Sequence, residues 1–394
     1  MSPARERAAT RLALAPAATM RSRPPHAVQA SPASVVPLQA LLPQDLAARC
    51  GIDISDARRL VSQVHKHGRL PDKAPATIRR TALEAVRAFG YVPSLQVAER
   101  HESAIDPFVK YGFTAADGAF IETVRIPLEK TGRFSVCVSS QVGCALACAF
   151  CATGRMGLKR NLEAWEIVEQ VRAVRAELPA GGRVHGVVFQ GMGEPLANVD
   201  RVIAAIRVMG EAAALAIDQR NITVCTAGLP SGIRKLAAEV PHVRLGLSIG
   251  DARPERRRRV MPIDDSHSLD DVLIAAGEHA QKSGHSPMWA YTLLSNDNDG
   301  PDAAEALAAR ARAFAERWGV RPRLSLIPWN HVEGAPFARS TAAALEAFRA
   351  ILRERGVGSI VRYSGGGDVA AACGQLAKRA ATHAPRLESR DSRE

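Results

Sequence analysis

From about Leu46 to Ala98, apolar residues recur three and four positions apart, in runs such as Asp56–His65 and Thr77–Val86. This is the spacing of helices that bury one face. Pro71 and the Gly90–Pro93 segment punctuate the pattern, as helix-breaking residues do. It predicts a small N-terminal helical accessory domain, residues 45–105. After about residue 106 the pattern changes. β-rich runs occur at Phe134–Ser139, Gly186–Phe189, Ile222–Thr226, Val243–Ser248, Trp289–Leu294, Arg323–Ile327 and Ile360–Tyr363. Amphipathic stretches lie between most of them, among them Glu163–Leu178, Val199–Met209, Leu269–Lys282, Asp302–Trp318 and Ala342–Arg355. Strands alternating with helices of this length imply right-handed crossovers and a parallel sheet. About six such units suit an α/β domain, residues 106–377, built as an open or partial barrel. Chemistry in such sheets gathers at the carboxyl ends of the strands, so the functional residues are expected just after strands.

The two ends of the chain read differently. Residues 1–44 are rich in Ala, Pro, Ser and Arg and nearly free of acid. They fit a disordered tail, an organelle-targeting segment, or a start codon placed too early, with Met20 beginning a similar stretch. Residues 378–394 are expected to form a flexible tail.

At 394 residues, 46% apolar and 23% charged, the chain has the composition of a soluble globular protein with a large core. No run approaches the roughly 18 apolar residues of a membrane helix, so no membrane partner is expected. A net charge of +12 suits a polyanionic partner, although several of the arginines lie in the N-terminal tail. Seven cysteines do not form the framework of a small secreted domain. A reducing cytoplasm with metal-binding or catalytic thiols fits better.

Cys144-Ala-Leu-Ala-Cys148-Ala-Phe-Cys151 follows the first strand of the alternating region. Three thiols within eight residues lie close enough to wrap a loop around one object. Structural zinc takes four ligands, usually in paired knuckles; there is no second knuckle, and His101 is distant in sequence. An electron-transfer iron–sulfur cluster normally takes four cysteines. Three leave one iron without a protein ligand, and an open coordination position marks a catalytic metal. Gly191-Met-Gly-Glu-Pro195, Thr226-Ala-Gly228, Ser248 and Pro328-Trp-Asn330 also fall at strand ends. The glycines of the first allow close backbone approach to a ligand, or simply make a tight turn.

The CxxxCxxC spacing, with Phe150 before the last cysteine, resembles the radical S-adenosylmethionine superfamily. Together with the strings above and Asp368-Val-Ala-Ala-Ala-Cys-Gly-Gln-Leu376, it resembles the RlmN/Cfr family of radical RNA adenine methyltransferases, collinearly over about residues 118–377. The resemblance implies a partial (β/α)6 barrel behind the helical domain. It implies a [4Fe–4S] cluster on Cys144, Cys148 and Cys151. S-adenosylmethionine, two molecules per turnover, would be bound by Gly193, Glu194, Cys225, Ser248, Ile249, Gly250 and Asn330. Cys373 matches the cysteine that is itself methylated, Cys137 its transient disulfide partner, and Glu122 the proton acceptor. The implied substrate is an adenine ring carbon, C2 by family default, in 23S rRNA with tRNA as a further substrate. The implied electron donor is of the flavodoxin or ferredoxin kind, and the implied state is a cytoplasmic monomer.

The chain departs from the family at several positions. Gly250 stands where His is usual, Cys225 where Ser is usual, and Ala290 where an acid is usual, as in the Cfr branch. Arg253 and Arg256–Arg259 follow the altered loop, either as a solvated run or as phosphate contacts. Cys137, Cys373 and Glu122 also admit plain structural readings, as core thiols and a surface strand carboxylate. Alternatives to C2 methylation are C8 methylation of adenine and radical chemistry on another substrate. From another class comes a non-catalytic iron–sulfur protein that binds RNA or senses redox state.

Overall fold

A computed structural model describes residues 35–376; most of the expected N-terminal tail and all of the expected C-terminal tail lie outside the described residues. Within the last residues of the expected tail, Leu38 and Leu41 are buried ahead of the first helix. Three helices follow, Pro43–Cys50 (α1), Ile54–His67 (α2) and Arg80–Phe89 (α3). In α2 the Asp53 side chain accepts from the Ser55 amide (2.7 Å), satisfying an amide left unpaired at a helix start. Ala57, Leu60, Val61 and Val64 of α2 form one apolar stripe, packed with Leu46, Leu83 and Val86 of α1 and α3.

Helical structure ends at Phe89, and the segment from Gln96 belongs to the sheet instead. Gln96–Glu102 (β1), Val109–Thr114 (β2), Phe120–Pro127 (β3) and Arg133–Cys137 (β4) make an antiparallel meander. The parallel part then runs from β4 through Arg183–Phe189 (β5), Ile222–Thr226 (β6), Arg244–Ser248 (β7), Met288–Leu293 (β8), Arg323–Pro328 (β9) and Ser359–Val361 (β10). The ten strands lie side by side in sequence order. Each parallel step is bridged by a helix: Ala164–Ala176 (α4), Val199–Gly210 (α5), Pro230–Glu239 (α6), Pro254–Val260 (α7) with Leu269–Ser283 (α8), Pro301–Trp318 (α9) and Ala342–Glu354 (α10). This is the expected α/β barrel of about six units, extended by three antiparallel strands that the alternation did not reveal. β1 escaped notice because it is an edge strand, QVAERHE, exposed or half-buried throughout.

The two ends of the sheet are tied together. In the turn between β1 and β2, Asp106 accepts from the Tyr363 hydroxyl (2.9 Å) and the Gly366 amide (2.8 Å) beyond β10. The Ser103 hydroxyl donates to Asp368 (2.7 Å). These bonds curl the sheet so that its carboxyl edge surrounds a common space. Among the described residues, no helix is long and apolar enough to cross a membrane.

Where the antiparallel and parallel regions meet, Gln170 of α4 accepts from the Thr123 hydroxyl (2.7 Å) and the Ser139 amide (2.8 Å) and donates to the Ser139 carbonyl (3.0 Å). All three residues are buried. Gln170→Leu strands both backbone groups of Ser139, and an unpaired buried polar group costs about 1–3 kcal/mol. Urea denaturation should show a stability loss of about 2–4 kcal/mol at unchanged secondary structure; a loss below about 0.5 kcal/mol would contradict this network.

Candidate active site

At the carboxyl ends of β5–β9 lies a cavity of about 140 Å³ whose wall includes Cys144, Cys148 and Cys151. Gly193, Glu194, Cys225, Ser248, Asn330 and Cys373 line the same cavity. Ile249 and Gly250 are not among its lining residues. Cys137 lines a second, adjoining pocket, which shares Cys373 and Gln190 with the first.

The cysteine loop sits in a hairpin, with Gln141–Cys144 paired to Gly157–Asn161 and Cys144 opposite Gly157. It is pinned from three directions. The Ala149 amide donates to the Val260 carbonyl (3.0 Å), and the Ala152 amide to the Gly374 carbonyl (2.8 Å). The Trp329 indole donates to the Phe150 carbonyl (3.0 Å), and the Thr153 hydroxyl to the Leu376 carbonyl. Phe150 therefore serves packing, within an apolar cluster with Trp329 and Met261. The Asn330 amide donates to the Cys373 carbonyl (3.0 Å), fixing the loop that carries this thiol.

The three loop thiols are free. Among the described residues, no three metal-ligating side chains converge as the ligands of a single ion would; the thiols are spread along a cavity wall with no histidine. That donor set fits a cluster held by three cysteines. Burial pushes the Cys144 thiol up to about 11 and raises Cys148 and Cys151 as well, so these sulfurs favour their charged form only beside a cation.

The Gly191-Met-Gly-Glu turn is shaped first by the protein itself. A Cβ on Gly191 would meet the Val138 carbonyl oxygen at 2.6 Å, and one on Gly193 the Gln141 side chain at 2.5 Å. The glycines thus allow the turn to press on the strand that leads into the cysteine loop. The Glu194 carboxylate accepts from the amides of Leu196 (3.0 Å) and Ala227 (2.8 Å); burial nonetheless raises its pKa.

The arginine run does not offer free phosphate contacts. Arg253 pairs with Asp251 (2.7 Å) and Asp302, Arg256 with Asp297 (3.7 Å), Arg258 with Asp265 (2.7 Å), and Arg259 with Asp297. Arg257 is fully buried. It donates to the carbonyls of Ile249 (3.0 Å) and Ala227 (2.7 Å) and pairs with Asp264, bracing the ends of β6 and β7. Gly250 has φ +70°, and a Cβ there would meet the Met261 sulfur at 2.4 Å. A histidine there would need a left-handed backbone and a shift of the Met261 side chain. The Gly250 carbonyl is instead held by Asn298 (2.8 Å).

Glu122 is not a surface carboxylate. It is buried on β3 beside Lys110 (3.1 Å), itself buried. It lines neither pocket, but Val124 and Ile126, on the same strand face, line the second. Sequence reading missed Arg362. It lines the second pocket with Cys137 and Cys373 and donates to the Gln190 side chain (2.8 Å). The Cys373 sulfur, with those of Cys225 and Cys137, raises its pKa. Only its place beside the ACGQL segment hinted at this. The Cys225 thiol, buried in the cavity wall, is pushed up to about 12 by desolvation.

A barrel with a three-cysteine loop at its carboxyl edge defines a radical S-adenosylmethionine enzyme, and the chain matches the Radical SAM superfamily over residues 138–300. It is 64% identical over 363 residues to a probable RNA methyltransferase of Sorangium cellulosum, covering 86% of this chain and 92% of that one. With a dual-specificity RNA methyltransferase RlmN of Syntrophobacter fumaroxidans it shares 40% identity, over 70% of this chain and 78% of the relative. A crystal structure of a radical SAM methyltransferase from Sphaerobacter thermophilus superposes with a TM-score of 0.77 at 32% identity, covering 86% of this chain and 98% of that one. The chain belongs to the RlmN-type family of radical SAM RNA methyltransferases. The family implies a [4Fe–4S] cluster and S-adenosylmethionine as cofactors.

Removing one partner of a buried ion pair costs about 3–5 kcal/mol. Arg257→Met should therefore lower unfolding free energy by about that much, and adding Asp264→Leu should restore part of it. Chemical denaturation of the single and double variants checks the sign of this coupling.

Proposed function

We propose that this chain methylates an adenine ring carbon in RNA, C2 by preference, with 23S rRNA and tRNA as substrates. One observation carries the reading: Cys373 lies where two pockets meet, one lined by the three loop cysteines, the other by Cys137. Cys144, Cys148 and Cys151 would hold the cluster, and Gly193, Glu194, Ser248 and Asn330 would border S-adenosylmethionine. When bound, these cofactors supply a methyl group and a carbon radical able to abstract hydrogen. An aromatic ring carbon of adenine is too poor a nucleophile for direct methyl transfer, whereas a thiolate is a good one. Cys373 is therefore the methyl carrier, and the carbon it carries is the one joined to the base.

Cys137 is the resolving thiol. Its sulfur bonds to that of Cys373 as the sulfur–carbon bond to the product breaks; the freed carbon keeps the electron pair and takes a proton to become the methyl group, leaving a disulfide that external thiols reduce. Glu122 accepts the ring proton, with Lys110 beside it to balance the carboxylate. Asn330 and the Ala152–Gly374 bond keep the Cys373 loop against the cysteine loop. Arg362 holds a positive charge beside the working thiols. C8 methylation is the second reading, favoured by Ala290, which lines the cavity where most of the family carries an acid. The enzyme is expected to act as a monomer.

Alanine at any one of Cys144, Cys148 and Cys151 should leave anaerobically reconstituted protein with little bound iron and no visible cluster absorbance. Cys373→Ala should keep the cluster and abolish methylation. Mass spectrometry of digested rRNA and tRNA from a deletion strain should show loss of one methyladenosine, and its C2 or C8 identity decides the regiochemistry. An unchanged set of methyladenosines would overturn the assigned reaction.

A further inference from the structure

We propose that the exposed segment Arg155–Lys159 is the docking surface for an acidic one-electron donor protein. The inference rests on the reading that Cys144, Cys148 and Cys151 hold the cluster. Arg155 and Lys159 belong to the same hairpin as those cysteines: the paired strands are Gln141–Cys144 and Gly157–Asn161, and the turn Thr153–Met156 joins them to Cys151. The Arg155 amide donates to the Ala152 carbonyl (3.1 Å), so the path from surface to thiol is short and bonded.

The charges here are available. The neighbouring Arg160 is engaged with Asp117 (2.6 Å) and Glu166 (2.8 Å), and the run at Arg253–Arg259 is paired throughout. Among the described residues the side chains of Arg155 and Lys159 meet no carboxylate. Both line a broad open groove of about 950 Å³, together with His331 and a single acid, Glu333. Between them, Met156 and Leu158 are 38% and 45% exposed. Basic groups around a small aliphatic patch suit a transient redox encounter, in which charge steers and little surface is buried.

Charge alone would also suit RNA. The groove, however, has His331 as the one aromatic ring among its lining residues and no Phe, Tyr or Trp, the larger platforms on which bases stack. Those lie at the pocket shared by Cys137 and Cys373, where Phe108 and the 68% exposed Tyr363 stand. The base thus has its place on the thiol side, and the cluster side is left to the donor. One electron passes from the donor's reduced flavin or iron–sulfur centre to the cluster; no bond is made or broken.

The test uses reduced flavodoxin and reduced ferredoxin with the cluster-loaded enzyme and its R155E/K159E and M156S/L158S variants, all at exposed positions. Titration into isotope-labelled donor reports binding by NMR, and anaerobic stopped-flow bleaching reports cluster reduction. R155E/K159E should weaken donor affinity roughly tenfold or more and flatten its salt dependence. M156S/L158S should weaken it while keeping that dependence. Reduction by dithionite and affinity for unfractionated tRNA should stay within about twofold, as expected for groups outside those contacts. Unchanged donor affinity in both variants overturns the proposal, as does a loss of tRNA affinity in its place, or a wild type that neither donor binds. A wild type that binds donor but holds no iron would instead refute the cluster assignment.

Discussion

The site depends on one backbone clamp. The amide of Ala152, next to the last loop cysteine, donates to the carbonyl of Gly374, next to Cys373. Trp329 and Asn330 at the end of β9 reach in opposite directions, one to the cysteine loop and one to the Cys373 loop. The cysteine loop is framed by its own hairpin, whereas the Cys373 loop has little regular structure around it. Each is fixed in part by the other and by β9, so Cys373 and the three loop cysteines share one cavity wall. Pre-set geometry of this kind matters because a reactive carbon radical must meet its target before it meets anything else.

The rest of the fold can be read as what brings those loops together. Ten strands in sequence order make a sheet with two free edges, and Asp106 and Ser103 tie one edge to the segment beyond the other. Arg257 does a related task from within. Its guanidinium cross-links the loops after β6 and β7 through their carbonyls, at the cost of burying a charge that only Asp264 balances. A buried pair of this kind fixes position more than it adds stability.

Charge is spent mostly inside the molecule. A net +12 suggested a polyanion partner, yet the most basic run in the sequence is locked in ion pairs. Part of this pairing is local, through Asp251, Asp264 and Asp265, but Asp297 and Asp302 come from the loop after β8 and the start of α9, which the sequence does not show. The same limit explains Glu122, whose neighbour Lys110 sits on an adjacent antiparallel strand.

The sequence by itself determined the local elements of the barrel and the identity of its chemistry. Helix and strand periods follow from which side each residue must bury, and three cysteines within a short loop leave few metals to choose from. Ile249 and Gly250 show where that stops: the resemblance places them at the cofactor, but they are not among the residues that line the cavity, and a Cβ on Gly250 would meet Met261. The antiparallel strands, the closure of the sheet, the meeting of Cys373 with both pockets and the charge at Arg362 were decided by tertiary structure. Each rests on contacts between residues far apart in the chain, and periodicity carries no information about such contacts.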